Sequence, residues 1–106
     1  MALDISANSP PYVYRLTLSS TVDELTEVTL PKSASRVSVQ FITNAGKLTF
    51  AGTDGAAIGS HYASIAADSW SEVTWSNRTP APQDNLFLAS GTASTVVEIL
   101  IEFPDA

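Results

Sequence analysis

Cysteine is missing from the 106 residues, which excludes disulfide bridges, zinc–thiolate centres and thiol nucleophiles. One histidine, His61, is the only side chain whose ordinary pKa suits acid–base work near neutrality. Charge is scarce: Asp, Glu, Lys and Arg make up 15% of the chain, against about 25% in a typical domain. Eleven acidic residues against five basic give a net charge of −6. That balance repels a phosphate backbone, so nucleic acid is not an expected partner. Long apolar runs are missing too. The richest, Val96 to Phe103, is broken by Glu98 and Glu102 and is too short to span a bilayer, so no membrane is expected. Met1 to Asn8 carries Asp4, no Lys or Arg, and no apolar stretch of secretory type. The expectation is a protein made in a cytoplasm, where the Asn77-Arg78-Thr79 sequon has no meaning.

Apolar residues are plentiful. They form 44% of the chain, enough to exclude intrinsic disorder, and the length suits one domain. Their spacing is two. Val37, Val39 and Phe41 alternate with Ser38, Gln40 and Ile42, and Val97, Ile99, Ile101 and Phe103 alternate with Glu98, Leu100 and Glu102. Such alternation puts one set on each face of a pleated strand, whereas a helix would scatter them around its axis. Thr, Val and Ile, whose branched Cβ suits a pleated surface, supply 25 residues.

Turn residues divide the chain. Strands are expected at Tyr12 to Leu18, Glu27 to Leu30, Arg36 to Thr43, Lys47 to Ala51, Ser71 to Ser76, Asn85 to Ala89 and Thr95 to Phe103. Asn44-Ala45-Gly46 and Ser90-Gly91-Thr92 read as tight turns, and Gly52 to Asp68 as a long loop with a short strand near His61 to Ile65. Val22 to Glu27 offers a competing helical turn capped by Ser20 or Thr21. With no segment to serve as a crossover helix, pairing should be antiparallel. The expected fold is all-β: a single antiparallel β-sandwich, jelly-roll-like, with seven to eight short strands over residues 12–106 behind an extended N-terminal arm, residues 1–11. Val39, Phe41, Ile99, Ile101 and Phe103 are its expected core.

Catalytic chemistry finds little support. His61 could be grouped with Ser60 or Ser64 and Asp54 or Asp68, but neighbours in one loop do not make the convergent geometry of a triad. Glu98 and Glu102 share a strand face with Leu100 between them; they read as solvated residues that would guard an edge strand, if theirs is one. Gly52-Thr53-Asp54-Gly55 begins like a calcium loop, yet Ala56, Ile58 and Ser60 stand where oxygen ligands are needed, so a tight turn is preferred. Gly52, Gly55 and Gly59 lack the spacing of a phosphate loop. The expectation is no enzyme, no cofactor and no metal.

Aromatic residues offer the one credible binding surface. Tyr12 and Tyr14 share a face; Tyr62, Trp70, Trp75 and Phe87 follow in the second half. Trp75 shares its face with Val73 and suits the core, while Trp70, at a strand start, suits exposure. A carbohydrate-binding module for host surface glycans would stack sugar on such rings. Along the chain, however, only Glu72 and Asp68 stand near Trp70 to orient a sugar, and packing is the preferred role of the aromatics.

Three stretches carry a resemblance: Val37-Ser38-Val39-Gln40-Phe41-Ile42-Thr43-Asn44-Ala45-Gly46-Lys47, Gly52-Thr53-Asp54-Gly55-Ala56-Ala57-Ile58-Gly59, and Leu86-Phe87-Leu88-Ala89-Ser90 with Thr92 to Ile99. Together, over roughly residues 28 to 101, they resemble small β-rich structural proteins of tailed bacteriophages, nearest to head decoration, or cement, proteins. The resemblance implies a non-enzymatic virion protein on the capsid surface, with the major capsid protein as partner and a trimeric homo-oligomer on local symmetry axes. It transfers no site residue, and a terminal arm such as Asn8-Ser9-Pro10-Pro11 would touch the shell. A tail or neck accessory protein is the alternative within the same class.

Overall fold

The computed structural model describes residues 3–4, 12–30, 36–50, 52–74 and 85–102. The period-two stretches are strands: β1 (Leu3–Asp4), β2 (Tyr12–Thr17), β3 (Thr26–Thr29), β4 (Arg36–Phe41), β5 (Gly46–Thr49), β6 (Ala63–Ile65), β7 (Trp70–Thr74), β8 (Asn85–Ala89) and β9 (Val96–Glu102). They form two sheets, ordered β1-β3-β8-β5-β6 and β2-β9-β4-β7. Every pairing is antiparallel except that of β1 with β3. The chain is an all-β sandwich.

Alternation decides what fills it. On β9, Val97, Ile99 and Ile101 are buried while Val96, Glu98, Leu100 and Glu102 are half-exposed. On β4, Val37, Val39 and Phe41 face the same way. They meet Val28, Leu48, Ile65, Leu86 and Leu88 of the other sheet in one cluster, with Tyr14, Leu16 and Leu3 packed at its margin. Burying each such Val, Leu, Ile or Phe side chain contributes about 1.5–3 kcal/mol. Phe103 and Trp75, expected in this core, lie outside the described residues.

Two open readings are settled and one local expectation is revised. No helical turn forms at residues 22–27: Val22 and Asp23 make a turn, and Glu24 bridges Ala57 of a distant loop. β9 is not an edge strand but runs between β2 and β4, so its glutamates guard no edge. The tight turn after β4 is centred on Thr43, not on Asn44 or Gly46. Thr43 has φ 72° and the Asn44 amide donates to the Ile42 carbonyl at 2.8 Å, a γ-turn of the rarer, strained hand. The Asp68 carboxylate accepts from the Thr43 amide (2.9 Å), and the Asp68 amide donates to the Phe41 carbonyl (2.7 Å), which hold the turn in place. Gly46 is required for space instead: a Cβ there would lie 2.0 Å from the Phe41 ring.

The same end of the sandwich is closed by buried hydroxyls. Ser90 donates to the Ala45 carbonyl at 2.8 Å, and the Thr95 hydroxyl lies 2.9 Å from the Thr92 carbonyl and 3.1 Å from Ser90 Oγ. Ser90 and Thr95 are nearly inaccessible, and these contacts satisfy polar atoms that would otherwise be costly to bury.

Candidate functional site

Each sheet has an outer face, and the two differ. On the β1-β3-β8-β5-β6 sheet, Phe87 and Ala89 point away from the main core, yet both are buried. Residues 52–58 lie across them, and Leu25, Phe87, Ala89 and the half-buried Ile58 form a second apolar cluster. Backbone bonds fasten this cover. The Leu25 amide donates to Ala56, the Gly55 amide to Leu25, and the Ile58 amide to Asp23, at 2.8–2.9 Å. The Asp54 carboxylate accepts from the Glu27 amide at 2.9 Å. Asp54 and Gly55 form a turn with Gly55 at φ 85°.

The outer face of the β2-β9-β4-β7 sheet carries side chains directly. Strand register aligns Arg15, Glu98, Gln40 and Trp70 in one row across all four strands, roughly 14 Å at ordinary strand spacing. One Glu98 oxygen pairs with the Arg15 guanidinium and the other accepts from Gln40 Nε2 at 3.0 Å. The Arg15 contact, with help from Gln40, holds the Glu98 carboxyl below its ordinary pKa, against a smaller opposing effect of desolvation. Further along the same face, Arg36 pairs with Glu102 at 2.9 Å and with Glu72 at 3.6 Å. Trp70 stands at one edge of the face, 49% exposed, and Val13 at the opposite edge, 65% exposed.

The residues singled out from the sequence therefore separate. Trp70 is exposed as expected, while Tyr14 packs on the core and Phe87 lies under the cover. Tyr62 is exposed in the loop, its ring centroid 5.0 Å from the Lys47 ammonium. Lys47 is also bonded to Asp23 at 2.8 Å, which raises its pKa. The side chain of Tyr12 and the whole of Trp75 lie outside the described residues. His61, Ser60 and Ser64 are exposed, whereas Asp54 and Asp68 are committed to backbone amides on different segments. Among the described residues no three His, Cys, Asp or Glu side chains gather as a metal group, and no helix is long and apolar enough to cross a membrane.

Sequence reasoning missed Gln40 as the neighbour of Trp70, and Glu98 and Arg15 as the groups behind it in the row. Gln40 and Glu98 are 58 residues apart and Arg15 and Glu98 are 83 apart, so only strand pairing unites them. The only sequence signal was the shared alternation of β4 and β9. A separate open groove of about 610 Å³ is lined by residues 45–47, 64–66, 91 and 92, most of them small. No family model, curated protein or solved structure matches the chain.

Proposed function

We propose that the chain is a jelly-roll virion protein that binds and stabilises a tailed-phage head shell, a decoration or cement protein acting without catalysis. The observation that supports the jelly-roll part of this reading is the path of β2 to β9. Successive strands pass from one sheet to the other, except at the β5–β6 hairpin, where the path reverses. This path supports a jelly-roll reading, two Greek keys of four strands, the order used by viral capsid and lectin domains. The resemblance of residues 28 to 101 to phage structural proteins supports the same class. Fold alone does not assign function, so the shell-binding role rests on that resemblance.

A cement protein gains from symmetry. Once one subunit of an oligomer docks, the others bind at high effective concentration, so weak contacts add to a firm hold. A trimer on the capsid surface, with the major capsid protein as partner, is the form proposed. The test is a map of the intact particle. Many copies distributed over the head would sustain the proposal. A few copies at one vertex would replace it with a neck or tail role. Sedimentation of the purified chain tests the trimer, and a monomer persisting at high concentration would remove that element.

A further inference from the structure

We infer that the outer face of the β2-β9-β4-β7 sheet binds uncharged saccharide, with Trp70 and Gln40 as the contact residues. The inference is independent of shell binding and rests on how the row Arg15–Glu98–Gln40–Trp70 is built.

The exposed indole supplies an apolar plane on which the C–H face of a pyranose ring can stack. Its cross-strand neighbour on the same face is Gln40. Gln40 Nε2 donates to Glu98, which restrains the amide and leaves Oε1 as its acceptor for a hydroxyl. Glu98 is itself fixed by Arg15. The polar group beside the indole is thus held by a second layer of contacts before any ligand arrives, which reduces the ordering cost of binding.

Charge selects the class of sugar. Among the described residues the face carries Arg15 and Arg36 against Glu72, Glu98 and Glu102, and ion pairs join these groups. Two cations against three carboxylates leave a negative surplus, on a chain of net charge −6. Sulfated, carboxylated or phosphorylated glycans are repelled, whereas neutral hydroxyls are not. A protein partner fits less well. An aromatic anchor for protein is ringed by contacts that exclude water, whereas Trp70 has the Gln40 amide beside it in its row and Glu72 two residues along its own strand. The exposed Val13 lies on β2, at the far edge of the sheet.

The experiment titrates the full chain with oligosaccharides from dextran, mannan and galactan, and with heparin and polygalacturonate, reading two-dimensional NMR shifts. At least one neutral oligosaccharide should bind saturably with Kd of about 0.1–1 mM, as suits one shallow open site. The shifts should centre on the Trp70 indole N–H and the Gln40 side-chain amide. Trp70→Ala and Gln40→Ala should each weaken binding about tenfold or more while keeping the strand-type circular dichroism, and Tyr62→Ala should leave it unchanged. Shift mapping on the unaltered chain decides the matter if either variant misfolds. The inference is overturned if no neutral oligosaccharide saturates, if only the acidic polymers bind, or if shifts map to other residues. It is equally overturned if Trp70→Ala abolishes self-association while no sugar binds, which would make the face an interface between copies.

Discussion

Phe87 and Trp70 both point away from the shared core, one from each sheet, yet Phe87 is 5% exposed and Trp70 49%. The difference lies outside the strands. Residues 52–58 lie across the first sheet and give Phe87 a small apolar cluster of its own, whereas the second sheet has its outer face spanned by ion pairs and the hydrogen bond from Gln40 to Glu98. A face that points outward is therefore not the same as a face in water. Where small residues and glycines let a loop lie flat, as at Gly52 against Leu25 and Phe87, the sandwich gains a partial third layer. Where the strands themselves carry complementary charges, Val13 and Trp70 stand exposed.

The strongest way to break this comparison is to truncate one outward residue on each side. Phe87→Ala should cost about 3–5 kcal/mol in urea unfolding, as for a core aromatic. Leu100→Ala on the bare face should cost less than about 1.5 kcal/mol, since it starts half-exposed. Equal costs would mean that the cover adds nothing. Gly46→Ala acts on the shared core beneath both faces. Its new Cβ meets the fully buried Phe41 ring, so a loss of about 1–3 kcal/mol is expected from the same measurement. An unchanged midpoint would show that the ring can move aside.

Smaller effects separate the fastenings of the two faces. Asp54→Ala removes the acceptor for the Glu27 amide and should cost about 0.5–1.5 kcal/mol. Faster hydrogen exchange should follow at the amides of Glu27, Leu25 and Gly55, leaving β4 and β9 protected. Exchange spreading to β9 would mean that the cover and the core open together. The bare face should instead respond to pH. Glu98 has its folded pKa lowered by Arg15 and Gln40, so its stabilisation is complete above the unfolded value of about 4.3 and fades as pH falls through the folded value. The Tm advantage of the native chain over Glu98→Gln should be present at pH 7 and shrink on acidification below about pH 4.3. An advantage that does not change with pH would show that the Glu98 charge is not what holds the row.

The faces of β4 and β9 were legible from the sequence because alternation is local: Val37, Val39, Phe41, Val97, Ile99 and Ile101 declare their side by spacing alone. The expected strand Asn85 to Ala89, ended by the turn Ser90-Gly91-Thr92, has the limits observed for β8. The helical turn considered at residues 22–27 failed because its backbone amides bond to a loop some thirty residues away, an option that no local propensity reveals. The strained Thr43 turn was hidden for a similar reason, since Asp68 holds it from outside. Phe87 could be placed on the outer side of its strand by counting, but not recognised as buried.

By itself the sequence determined the all-β class and which residues of the main strands turn inward, because pleating ties side-chain direction to chain position. It also determined the charge balance, which is additive and independent of fold. Only the tertiary structure decided that β9 lies between β2 and β4, that residues 52–58 cover one outer face, and that Trp70 stands in a row with Gln40, Glu98 and Arg15. These are choices among long-range pairings with similar local chemistry. They are settled by how completely the assembled sheets bury apolar surface and satisfy their polar groups, a property of the whole chain and of no single segment.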